Sequence, residues 1–212
     1  MGFITKIVMA YGVIKPSIKS GSEELRLNQN RLPFTLLNFW KWNSSDLLSN
    51  ATRGRFAEFI VATATGIDLG VPRDEWAPYD LVTPEGIKIE VKSAGFVQSW
   101  YQDKLSKISF SIKPSFYWDN ATNKQSKTKS RYVDVYVMCL LATQDQETID
   151  PLDLDQWRFY VLSVDEINAY KRSQTSITLS SLEKLTKPTF YDHLRQVIIS
   201  KFKKIPFILV SD

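Results

Sequence analysis

Residues 78–93 read "PYDLVTPEGIKIEVKS", and the way this stretch folds decides the rest of the chain. An apolar arm, a Thr-Pro-Glu-Gly turn and an alternating second arm describe a β-hairpin spanning 79–92. In the second arm Ile87, Ile89 and Val91 alternate with Lys88, Glu90 and Lys92. Successive strand side chains point to opposite faces, so Glu90 and Lys92 share a face ~6.6 Å apart. Pro84 presets the first turn angle of a type I turn. Gly86 then supplies the left-handed residue of a G1 bulge, giving a three-residue loop, 84–86. Counting back from Thr83 opposite Ile87 sets Asp80 against Glu90, where opposed Cβ atoms lie ~4.5–5.5 Å apart. Without the bulge, Asp80 would oppose Ile89 and point away. Two carboxylates that close repel unless a cation or proton lies between them.

A site of this form suits Mg²⁺, a hard ion that takes oxygen ligands and keeps several waters. Mn²⁺ is the natural substitute. Asp80 and Glu90 offer carboxylate oxygens and the Val91 backbone carbonyl a third. Lys92, on the same face, is placed to stabilise charge on an attacked phosphate or to help activate water.

The arrangement of Asp80, a short gap and Glu90-x-Lys92 resembles the PD-(D/E)xK, or restriction-endonuclease-like, nuclease superfamily. The resemblance spans roughly residues 46–140. It implies a mixed central β-sheet flanked by helices, divalent-metal cleavage of phosphodiesters, and DNA as the substrate. It also implies a catalytic or metal role for Glu58, since many members carry a Glu on the helix before the hairpin. Read by itself, Glu58 could equally pair with Arg53 or Arg55 on the helix surface. Gln98 follows the lysine as a Gln does in some of these nucleases. Tyr79 separates Pro78 from Asp80, so the literal Pro-Asp pair is absent. Dimerisation would be natural for a double-strand cutter.

The rest of the 212 residues is consistent with a globular α/β domain. Hydrophobic residues make up 43% and aromatics 13%, with six Trp, which excludes a disordered chain. The formal charge of +4 excludes a uniformly basic nucleic-acid coat and leaves room only for a local basic patch. No apolar run reaches the ~18–20 residues that span a bilayer. The start lacks a signal-peptide pattern. Lone Cys139, in an apolar run, reads as packing. These features predict a cytoplasmic protein.

We read residues 1–212 as one nuclease-like domain, with a core over about 46–165, an N-terminal extension over 1–45 and a C-terminal extension over 166–212. Residues 15–33 read as loop. The block at 34–42 places Trp40 and Trp42 in a core or interface. "NSSD" (43–46) offers caps for a helix ending at Gly66, with Leu48, Ala51, Arg55, Phe59 and Ala62 at helical spacing and Leu47, Phe56 and Ile60 widening the apolar stripe. Gly54 inside that helix suggests a close approach to the sheet. Strands are predicted over 107–113, 131–142 and 156–163, and short helices over 164–172 and 180–186, the latter with a Ser cap. Residues 119–131 read as a surface loop. Asp134 lacks an evident partner.

The segment 104–131 carries Lys104, Lys107, Lys113, Lys124, Lys127, Lys129 and Arg131 against Asp119 alone among acids. It is either a solvated loop or a phosphate-contacting arm with aromatics such as Trp100 available for stacking. The alternative to a nuclease is a catalytically silent nucleic-acid-binding or assembly module of the same fold. No Gly-rich phosphate loop supports a small-molecule reading.

Overall fold

The computed structural model describes residues 11–203. Part of the chain start and the end of the predicted C-terminal extension therefore lie outside the described residues. The elements run β1 (Glu24–Leu27), β2 (Asn30–Thr35), α1 (Leu36–Ser44), α2 (Asn50–Thr65), β3 (Leu81–Val82), β4 (Lys88–Gly95) and β5 (Ser109–Ser111). There follow β6 (Trp118–Asp119), β7 (Lys124–Gln125), β8 (Val135–Leu141), β9 (Trp157–Ser163) and α3 (Val164–Ala169). The described part ends with β10 (Ser176–Thr178), α4 (Leu179–Leu185) and α5 (Leu194–Lys203).

The centre is a four-stranded mixed sheet in the order β3-β4-β8-β9. β4 and β8 are parallel, while the two outer pairings are antiparallel. Every residue of β8 is buried because both faces are covered. On one face Val135, Val137, Cys139 and Leu141 meet Ala57, Ile60 and Val61 of α2 and Leu194 and Ile198 of α5. On the other, Tyr136, Met138 and Leu140 meet Phe110 of β5, Ile167 of α3, Ile177 of β10 and Leu182 of α4. The elements after residue 165, expected as an extension, thus supply parts of both packing layers. Cys139 sits in the first layer, and burial pushes its thiol well above the usual range, in keeping with a packing role.

The turn after β3 has the bulged form. Gly86 has φ +82, its N–H donates to the Thr83 carbonyl at 2.9 Å, and the Thr83 N–H donates to the Ile87 carbonyl at 3.0 Å. The register is Val82↔Lys88 and Leu81↔Ile89. Arg195 of α5 pairs with Glu85 and ties the turn to the body. A Cβ on Gly86 would meet nothing within 4 Å, so space does not limit the residue there. The left-handed conformation does, and Gly86→Ala is expected to lose ~1–2 kcal/mol in urea unfolding. A loss near zero would mean the turn has another shape.

Several local expectations need correction. Residues 15–33 are not all loop: β1 and β2 form a hairpin whose two-residue turn, Asn28-Gln29, has φ 48 and 67. That is the type I′ geometry, disguised because Gln29 stands where Gly is usual. The 119–131 loop contains the β6–β7 hairpin, turned through Asn123 at φ 56. α1 has no buried residue and Trp42 is 82% exposed, so the tryptophans of that block are not core. The caps in "NSSD" serve a turn: Asp46 accepts the Leu48 and Ser49 N–H groups, and α2 begins after Ser49, which accepts the Thr52 N–H. α4 is preceded by Thr178, whose side chain makes no capping bond, rather than by a Ser cap.

The stripe predicted for α2 holds in part. Ile60 and Ala62 are buried and Leu48 and Phe56 pack against the core, but Ala51, Arg55 and Phe59 are exposed, and Arg53, Ala57, Val61 and Thr65 are buried in their place. The helix is apolar on more than one side, so periodicity alone did not select the face against the sheet. Gly54 has open space at its Cβ, so no close approach explains it. Asp134 finds its partner in the Lys88 backbone N–H, at 2.8 Å. Among the described residues no helix is long and apolar enough to cross a membrane.

Candidate active site

β4 leaves the core with its two faces chemically divided. Ile89 and Val91 are buried against α2, whereas Glu90 and Lys92 lie on the other face near the short edge strand β3. The paired register ends at Leu81↔Ile89, and Asp80 follows just beyond it, close enough to Glu90 for the two carboxylates to line one cleft and to repel. The Asp80 N–H donates to the Ile89 carbonyl at 3.0 Å. Its Oδ2 accepts the Val91 N–H at 2.8 Å. In a strand the N–H and C=O of one residue point to the same edge. The Val91 carbonyl therefore faces the edge that carries Asp80.

Lys92 Nζ donates to Glu90 Oε1. Burial pushes the Glu90 carboxyl above its usual range; Lys92 opposes that shift and Asp80 adds to it. Next to Glu90 across the β4–β8 pair stands Tyr136, whose hydroxyl is pushed up to about 12 by burial and by the charge of Glu90.

A group with a raised carboxyl pKa binds its proton more tightly in the folded state, so its destabilising effect is full above the folded pKa. It vanishes below the unfolded value, ~4.3 for Glu. Glu90→Gln is therefore expected to raise the Tm of metal-free protein at pH 7–8. The gain should shrink towards zero as the pH falls below ~4. A Tm gain that grows on acidification would contradict the burial of this carboxylate.

Glu58, on α2, is linked to the site by a residue the sequence reading passed over. It pairs with Arg73, and not with Arg53 or Arg55 as the surface alternative had it. Arg73 lies in the segment between α2 and β3, which has no helix or strand. Its guanidinium also meets Glu75 and reaches Asp80 Oδ1 at 3.5 Å. Burial pushes the Glu58 carboxyl up, and the Arg73 hydrogen bond pulls it back.

Asp80 forms part of two clefts. One, of about 510 Å³, is lined by Glu58, Arg73 and an apolar set that includes Phe59, Leu69 and Val71. The other, of about 270 Å³, holds Glu75 and Glu90 under a rim of Trp76, Phe116, Tyr117 and Trp118. Trp76 and Arg73 both fall in "VPRDEWAPYD", 71–80. The density of charge and aromatics just ahead of Asp80 was the available signal for them.

The predicted nucleic-acid contacts divide. Lys104, Lys107, Lys124, Lys127 and Lys129 are exposed, as is Trp100. Lys129 lies over the Phe116 ring at 5.2 Å, which brings one of them to the rim of the smaller cleft. Gln98 is buried and its amide is spent on Arg53, the Gly95 carbonyl and Ser106. Arg131 bonds the Ile112 carbonyl, Asn168 and Gln174, and so braces the approach to β8. The polar atoms of these two side chains already have partners within the fold.

Arg53 was also missed. It is 3% exposed and meets no carboxylate among the described residues; Ser93, Gln98, Asn50 and the Leu48 carbonyl take its donors. It anchors the strand end just beyond Lys92 to α2.

Among the described residues no group of three or more His, Cys, Asp or Glu side chains is gathered as a metal site. The carboxylates of the site are instead interleaved with Arg73 and Lys92.

Residues 34–181 match the sequence family described as bacteriophage T4 endonuclease IV. The chain belongs to that family. The match takes in α2, the hairpin and the whole central sheet, and therefore every site residue described above. A comparison with curated proteins found no match. Membership makes this protein a nuclease, a hydrolase that cleaves nucleic acid internally. The cluster around Asp80 is the candidate place for that chemistry.

Proposed function

We propose that this endonuclease hydrolyses phosphodiester bonds, those of DNA foremost, with a divalent ion held by Asp80, Glu90 and the Val91 carbonyl, in the manner of the PD-(D/E)xK nucleases. The observation that carries the reading is that Asp80 and Glu90 line one cleft, with Asp80 hydrogen-bonded to the Val91 N–H and Lys92 paired with Glu90. Two carboxylates and a carbonyl are a thin donor set, but Mg²⁺ is commonly bound by one or two carboxylates, with water and substrate phosphate completing its shell. Charge supports the same reading. The ion-paired cluster holds four carboxylates, Glu58, Glu75, Asp80 and Glu90, against two cations, Arg73 and Lys92, which leaves a formal −2.

Bound there, the ion would polarise the phosphate and ease deprotonation of the attacking water. The chain's own groups do the rest. Asp80 Oδ2 is held by the Val91 N–H, so its Oδ1, which among the described residues meets only the long Arg73 contact, is oriented before any ligand arrives. Lys92, released from Glu90, donates to the attacking water or to a phosphate oxygen and offsets charge that develops at phosphorus. The exposed lysines from 104 to 129 would contact the flanking backbone, and the aromatic rim would receive bases.

The test is incubation with supercoiled, linear and single-stranded DNA and with RNA, in Mg²⁺, Mn²⁺ or EDTA. Cleavage in either metal and none in EDTA is the expected result. Cleavage unchanged by EDTA would sink the metal site, and preference for RNA would correct the substrate.

A further inference from the structure

We propose that Arg73 is a phosphate-binding residue of this nuclease, held in the substrate-free protein by three carboxylates and engaging a substrate phosphate when nucleic acid binds. The inference rests on the site reading above. Arg73 sits between the two clefts. It lines the larger one beside Glu58 and Asp80, and contacts Glu75 of the smaller. Its side chain remains 35% exposed.

The guanidinium is unevenly held. Nε pairs with Glu58 and Nη1 with Glu75, whereas Nη2 has only long contacts, 3.4 Å to Glu58 and 3.5 Å to Asp80. Nη2 is thus the edge with donor capacity left, and it points at the carboxylate that faces Glu90. A planar guanidinium matches the oxygens of a phosphate with two parallel bonds, which a lysine does not. A cation drawn to Asp80 competes with Nη2 for the same carboxylate and loosens its weakest contact. The irregular segment between α2 and β3 lets the side chain follow the phosphate without breaking a helix or strand.

The competing account is that Arg73 only ties α2 to this segment. Binding separates the two without any cleavage. Labelled oligonucleotide is titrated by fluorescence anisotropy against Lys92→Ala protein in Mg²⁺, with Arg73→Ala, Arg73→Lys or Glu75→Gln added. Arg73→Ala is expected to weaken binding 10- to 100-fold. The slope of log K against log salt should fall by about one. Arg73→Lys should restore the slope but only part of the affinity, and Glu75→Gln should leave the slope unchanged. Unaltered affinity and slope in Arg73→Ala overturn the proposal. So does a weakening that Glu75→Gln reproduces, because breaking the tie would then suffice. Failure of the site reading looks different: wild-type cleavage would survive EDTA and Lys92→Ala, whatever Arg73→Ala did.

Discussion

Lys92→Ala is expected to lower the cleavage rate by about 10²–10⁴-fold, the range for loss of a positioned proton donor or acceptor. The fold should survive with a modest loss. The Lys92 side chain is 31% exposed and that of Glu90 23%. Truncation leaves the Glu90 carboxylate without the charge that opposes its burial, so the Tm of the metal-free variant should fall at pH 7–8 while the native circular dichroism is kept. Asp80→Asn should match the loss of activity. Its amide oxygen keeps the bond from the Val91 N–H, so what it removes is charge and not geometry. The measurement is single-turnover cleavage in Mg²⁺, with Tm and circular dichroism of the same preparations. Rates within threefold of wild type for both variants would remove the site from this hairpin.

Trp157→Ala should do the opposite and destroy the fold while touching nothing in the site. Trp157 is fully buried in β9. Its ring packs against Phe56 of α2 at 6.4 Å and Phe159 at 6.5 Å, and its indole N–H donates to the Pro151 carbonyl at 2.9 Å. Truncation leaves a cavity beneath α2 and an orphaned carbonyl, for a loss of ~3–5 kcal/mol. Small domains have ~5–15 kcal/mol in all, so the variant should be partly unfolded at 37 °C. Trp42→Ala is the control, because that ring is 82% exposed. It should change urea unfolding by no more than ~0.5 kcal/mol. A Trp157→Ala loss below 1 kcal/mol would mean that α2 does not rest on this sheet.

The two variants mark how unevenly the sequence could be read. β8 was plain because a strand covered on both faces has no polar side to confuse it. The hairpin register was plain because Pro84 and Gly86 restrict the backbone locally, and one residue of loop length moves a whole strand face. The face of α2 was not, since an alanine- and valine-bearing helix offers two apolar sides and only the sheet chooses between them. The β1–β2 turn was hidden by Gln29, and the β6–β7 hairpin by strands of two residues each. β6 and β7 are too short to show an alternation, and β1 and β2 bury no residue that would create one.

The sequence by itself determined the strands of the central sheet, the bulged turn, and the placing of Asp80, Glu90 and Lys92 within one hairpin. Those features depend on neighbours in the chain: side-chain alternation, a proline, and a glycine at positive φ. Tertiary structure alone decided which cations answer the carboxylates. Arg73 reaches Glu58 across 15 residues of sequence, and Arg53 reaches Ser93 across 40. It alone spent Gln98 and Arg131 on internal bonds. A charged side chain does not name its partner in sequence, because Coulomb attraction and burial act on distance in space, and the fold sets that distance.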